Sequence, residues 1–145
     1  MATIERFEEL EVWKIARVLT NLVYDLTGKG AFAQDYGLKQ QIQRASVSIM
    51  SNIAEGFESQ TQAIFNNLLG RAKGSAGEVR SQLYIALDRK YISEAEFKKA
   101  FHLAELCSRQ IFGFMEYLRS QPNTSRIREE DSDYEVQSSI FNFQP

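Results

Sequence analysis

Proline is missing from the chain until Pro122 and recurs only at Pro145, so nothing before residue 122 is barred from a helix by a lost N–H. Across that span apolar residues recur at helical spacing in four segments, with turn-like residues between them. The first runs from about Leu10 to Thr27, aligning Val12, Ile15, Ala16, Leu19, Leu22, Val23 and Leu26, and stops at Gly28-Lys29-Gly30. The second, about Asp35 to Glu55, aligns Leu38, Ile42, Ala45, Ile49 and Ile53, with Gly56 as its expected C-terminal cap. The third, about Gln62 to Arg89, aligns Phe65, Leu68, Leu69, Ala72, Ala76, Val79, Leu83 and Leu87. The fourth begins after Ser93, which forms a capping-box pattern with Glu96, and aligns Phe97, Phe101, Ala104, Ile111, Met115 and Leu118.

Long helices with short connections predict an all-α, up-and-down antiparallel four-helix bundle over residues 1–119. Residues 120–145 change character. They carry both prolines and an acidic run, and read as a polar C-terminal tail, flexible or docked by its aromatic end. The bundle segment holds 15 Lys plus Arg against 14 Asp plus Glu, whereas the tail sets Arg126 and Arg128 against Glu129, Glu130, Asp131, Asp133 and Glu135. A nearly neutral body is a weak footprint for nucleic acid, whose binders use a clearly basic face. The single cysteine, Cys107, reads as a small core residue, and the absence of a signal-like start or an apolar run of ~18 residues predicts a cytoplasmic protein without a membrane span.

The sides of the helices turned away from the core carry unexpected residues. In a monomeric bundle those sides should be uniformly polar. The third helix instead groups Ala63, Gly70, Gly74, Gly77 and Ser81 opposite its core stripe. Each interior glycine costs about 1 kcal/mol relative to alanine. The second helix groups Val47, Met50, Ala54 and Phe57 off its stripe, and the first groups Trp13, Arg17 and Tyr24, with Arg17 one turn from the indole. Together these residues predict subunit contacts in a homo-oligomer.

A polar row flanks the second helix's stripe, including Arg44, Ser48, Ser51, Asn52 and Glu55, and the third helix carries Arg71, Ser75, Glu78 and Gln82. An antiparallel register in which paired residue numbers add to about 122–126 sets Arg44 against Glu78, Ser48 against Ser75 and Glu55 against Arg71. The expectation is an ion-pair and amide network in which Glu55→Ala or Arg44→Ala destabilises strongly, because a buried charge stripped of its partner costs roughly 3 to 5 kcal/mol.

The most specific string is Ser51-Asn52-Ile53-Ala54-Glu55-Gly56. With Leu10-Glu11-Val12-Trp13-Lys14, Tyr36-Gly37-Leu38, Gln41-Ile42-Gln43-Arg44-Ala45, Gly74-Ser75, Glu78 and Gln82-Leu83, the chain resembles the bacterial four helix bundle proteins, first recognised as products of intervening sequences in 23S ribosomal RNA genes. The resemblance spans about residues 7–119 and places Asn52, Glu55, Gly56 and Glu78 at motif positions. It implies a bundle that assembles as a ring, typically a homopentamer, and implies no settled activity. A more distant relation is the accessory variability determinant of diversity-generating retroelements, a basic pentameric barrel that binds reverse transcriptase and nucleic acid. Met50 stands where the family commonly has proline, and the acidic tail is not part of its usual pattern.

For function, catalysis has little to build on. His102 is the single histidine and falls with Lys98, Glu105 and Arg109 on the expected solvated face of the fourth helix; no Glu-x-x-His pair, P-loop or nucleophile elbow is present. No catalytic residue, metal or cofactor is assigned. The leading expectation is a non-enzymatic scaffold that binds itself and presents repeated surfaces to a protein partner. The alternative is an RNA- or DNA-binding accessory using Arg71, Lys73, Arg80, Arg89 and Lys90, with Lys98 and Lys99, on the assembled ring.

Overall fold

The computed structural model describes residues 4–121; the expected tail from Pro122 onward lies outside them. After a 3-10 turn at Phe7–Glu9 come α1 (Glu11–Thr27), α2 (Gly30–Gln34), α3 (Tyr36–Glu58), α4 (Gln62–Asp88) and α5 (Glu94–Ser120), and no strand occurs among the described residues. Local chemistry sets the starts of α3, α4 and α5. The Asp35 carboxylate accepts from Leu38 N–H at 3.1 Å, the Thr61 hydroxyl from Ile64 N–H at 3.2 Å, and Ser93 and Glu96 complete a reciprocal capping box.

Each of α1 and α4 packs on both α3 and α5, which leaves α1 diagonally opposite α4. The centre is filled by Val12, Leu19, Ile49, Ile53, Leu69, Val79, Leu83 and Ile111, all essentially inaccessible to water. Polar seams then fix how the helices meet. The Thr20 hydroxyl donates to the carbonyl of Ser46 on α3 at 3.1 Å, and the Gln43 amide donates to the Thr27 hydroxyl at 3.0 Å. Between α3 and α4, Ser75 donates to Ser48 at 3.0 Å, the pairing expected from an antiparallel register.

Three sequence expectations change. A short helix, α2, occupies the Gly30–Gln34 stretch, with Phe32 fully buried and stacked on Tyr91 at a centroid distance of 5.3 Å. Gly56 does not cap α3, which continues to Glu58. Gly56 is buried instead, because a methyl group there would stand 2.5 Å from Phe65 Cδ1. The inward stripe of α5 is also rotated: Ala100, Leu103, Cys107, Ile111 and Phe114 are buried, whereas Phe97, Phe101 and Met115 are half-buried. Phe97 and Phe101 pack on the Tyr84 ring of α4 at 5.0 and 5.3 Å, so aromatic contact at the flank accounts for the hydrophobic repeat that the centre does not use.

Candidate functional site

The off-stripe residues of α1 and α3 flank the line along which the two helices meet. The hydrogen-bonded seam of Thr20 and Thr27 with Ser46 and Gln43 marks the inner line where the two helices meet. At about 100° per residue, Trp13, Arg17 and Tyr24 lie just outside that line on α1, and Val47, Met50, Ala54 and Phe57 just outside it on α3. Tyr24 is 47% and Val47 39% exposed; Trp13, Met50, Ala54 and Phe57 are half-buried. The Arg17 guanidinium sits 5.8 Å from the Trp13 ring centre, and Phe7 meets the same ring edge-on at 5.2 Å. The Trp13 end of the strip is thus ordered by its own contacts.

The outward face of α4 is different in kind and points away from α1. Nothing lies within 4 Å of where a Gly74 methyl would be, whereas one at Gly70 would touch Met115 at 3.7 Å and one at Gly77 would touch the Arg80 guanidinium at 3.6 Å. Packing within the protomer therefore does not require glycine at position 74. Exposed Ile64 and Ile85 lie on this same helix.

The polar network forms only at its inner edge. The Asn52 amide donates to the Ser48 carbonyl at 2.8 Å and to its hydroxyl at 3.0 Å, and Ser75 completes the cluster. Gln82 is buried, and its Oε1 has no partner. Arg44, Ser51, Glu55, Arg71 and Glu78 are exposed, and neither Arg44 with Glu78 nor Glu55 with Arg71 forms an ion pair. Here the register is as expected and the pairing is not. Water solvates both charges at the surface, and holding two long side chains together gains at most about 1 kcal/mol there.

The seven cations nominated for nucleic acid are dispersed. Arg71 lies exposed on α4, Arg89 and Lys90 occupy the turn after α4, Lys98 and Lys99 are exposed in the first turns of α5, and Lys73 and Arg80 face α5. The last two open onto a cleft of about 470 Å³ lined also by Glu105, Ser108, Arg109 and Phe112. The contribution of α5 was not singled out in the sequence. Its signal was the α4/α5 register, in which Lys73 reaches the Phe112 ring at 5.9 Å and Tyr84 meets Phe101.

Titratable groups elsewhere are inert or structural. Burial pushes the Cys107 thiol up to about 12, as suits a core residue. The backbone N–H of Ser93 holds the Glu96 carboxyl below its ordinary range. His102 is exposed alongside Lys98, Glu105 and Arg109, as the helical spacing predicts. Among the described residues no group of His, Cys, Asp and Glu is disposed to hold a metal ion, and no helix is long and apolar enough to cross a membrane.

Comparison with known proteins agrees with this architecture. Residues 8–113 match the profile of a family described as 23S rRNA-intervening sequence protein. Among solved structures, the chain is similar to a protein of unknown function from the S23 ribosomal protein family of Bacteroides thetaiotaomicron, at 22% identity and a TM-score of 0.63, covering 72% of this chain and 94% of that one. That likeness supports the fold. No curated protein sequence matches.

Proposed function

The chain belongs to the 23S rRNA-intervening sequence protein family, and we propose that it works by assembly, as the repeating subunit of a homo-oligomeric ring that displays copies of one surface to a protein partner. The observation that carries this reading is the presence of two unlike bare faces on one protomer. An aromatic and aliphatic strip runs along the α1/α3 seam, and the open Gly74 position lies on α4, the helix diagonal to α1. Two different surfaces that fit each other make a head-to-tail contact, and a head-to-tail contact that turns through a fixed angle closes as a ring. Gly74 lets a neighbour's backbone or flat ring approach α4 closely, while Tyr24, Val47 and Trp13 supply apolar area to bury.

A pentamer is the size that the family resemblance favours. The reading assigns no catalytic residue and no cofactor, and it keeps a cytoplasmic location, which suits a lone buried thiol. A polynucleotide-binding role has less support, because the cations are divided among separate sites on a near-neutral body. Light scattering on the full chain tests the assembly. A discrete multiple of the 16.6 kDa subunit is expected, with Tyr24→Glu and Gly74→Leu each shifting it towards the monomer. A monomeric mass at all concentrations overturns the reading.

A further inference from the structure

The α4/α5 cleft gathers charges that have no ion-pair partner. Lys73, Arg80 and Arg109 supply three positive charges against the single carboxylate of Glu105. None of the four takes part in an ion pair; those among the described residues join Arg6 to Glu8, Lys14 to Glu11, Lys29 to Glu96 and Arg119 to Glu116. Two donor atoms at the cleft are shielded from water. Ser108 is 6% exposed and its hydroxyl has no hydrogen-bond partner; Arg80 is half-buried as a residue, but its Nε is inaccessible and also unpaired. An unpaired buried donor costs about 1–3 kcal/mol, so two beside one cleft are a standing demand for acceptor oxygens.

Phe112 supplies the remaining wall. Its ring is 49% exposed and carries Lys73 Nζ at 5.9 Å from its centre. A flat apolar surface beside a cluster of N–H and O–H donors suits a ligand with an anionic head and a planar body. A cleft of about 470 Å³ falls within the usual small-molecule range of about 300–1,000 Å³. The net charge of the four charged side chains is +2, which matches a phosphate monoester dianion, and guanidinium and hydroxyl donors suit its tetrahedral oxygens. A polynucleotide offers one charge per phosphodiester and needs a basic track, which Glu105 interrupts.

We infer that each protomer holds a phosphate monoester with a planar body in the α4/α5 cleft, its phosphate on Arg80, Arg109, Lys73 and Ser108 and its ring against Phe112. The site lies within one chain and does not rest on ring assembly.

Titration calorimetry of the full chain with adenosine 5′-monophosphate, adenosine, inorganic phosphate and polyadenylate tests it. Saturable binding of the monophosphate at one per protomer is expected, with displacement by inorganic phosphate and no binding of adenosine. Arg80→Gln and the exposed-site variant Arg109→Gln should each weaken it about tenfold, whereas Arg44→Gln, outside the cleft, should not. Affinity should also fall from pH 7.5 to 5.5, as the ligand's second phosphate proton, with a pKa of about 6, returns. Absence of saturable binding, equal affinity in both cleft variants and wild type, or binding of polyadenylate alone would each overturn the inference.

Discussion

Replacing Gly56 by alanine adds one methyl group to the interior of α3. By helix propensity alone it should stabilise, since glycine is about 1 kcal/mol worse than alanine in a helix. The surroundings reverse the sign. The new Cβ would lie 2.5 Å from Phe65 Cδ1, 3.1 Å from Cε1 and 3.3 Å from Leu68 Cβ. Phe65 cannot swing aside freely, because it is 2% exposed and held edge-on by Phe57 at 6.2 Å and Phe114 at 5.4 Å. Overpacking of this kind costs roughly 1–3 kcal/mol. Set against the propensity gain, the net loss is about 1 kcal/mol, with a ceiling of about 2. For a domain of this size a loss of ~1 kcal/mol corresponds to about 4 °C in Tm. Urea unfolding followed by circular dichroism measures it directly. Combining Gly56→Ala with Phe65→Leu should cost less than the sum of the two single changes, because the smaller side chain vacates the space the methyl needs. A Gly56→Ala protein as stable as wild type, or more so, would refute the close-packing argument.

The same change at Gly74 has the opposite expectation: with nothing within 4 Å, Gly74→Ala should raise the stability of the isolated protomer by up to about 1 kcal/mol, read from urea midpoints under monomeric conditions. Lys90 holds a left-handed backbone (φ 62°) where α4 ends, with Tyr91 N–H bonded back to the Ala86 carbonyl at 2.9 Å. Lys90→Gly should therefore stabilise by about 1 kcal/mol, visible as a higher Tm. Arg44→Ala and Glu55→Ala, exposed and without ion-pair partners, should each change protomer stability by less than about 0.5 kcal/mol, and a loss above 2 kcal/mol in urea melts would contradict that. Glu96 has its folded-state pKa lowered by the Ser93 N–H. Its stabilising contribution is therefore complete above the ordinary carboxylate range and lost as pH falls through the folded value. The Tm gap between wild type and Glu96→Gln should accordingly close on acidification.

How much of this was legible beforehand depends on the kind of information each residue carries. Helix existence was, because apolar spacing in α1, α3 and α4 coincides with what is buried apart from the half-buried Leu22 and Leu87, and the cap residues Asp35, Thr61 and Ser93 stand where α3, α4 and α5 begin. The role of Gly56 was not. A glycine followed by turn residues suggests a helix end, and only the position of Phe65 on another helix reveals a contact surface. The antiparallel register correctly matched Ser48 with Ser75, yet the same register misjudged Arg44 and Glu78. Numbering locates side chains along an axis without saying whether water reaches them. The α4/α5 cleft escaped notice for a related reason: Arg109 reads as an ordinary solvated residue, and Phe112 is not singled out, until α4 supplies Lys73 and Arg80 opposite.

The hydroxyl of Tyr91 donates to Asp35 at 2.9 Å while its ring stacks on Phe32. Because Asp35 also begins α3 and Lys29 reaches Glu96 at 3.4 Å, both connections at this end of the barrel of helices are stitched into a single cap. The two loops should consequently open and exchange their amides together rather than separately. Among the described residues, the turn at the other end, Ser59–Thr61, has no such tie to a second connection. Extra residues should be tolerated there and resisted at the stitched end, and anything that docks on the stitched end meets a surface whose ordering cost folding has already covered.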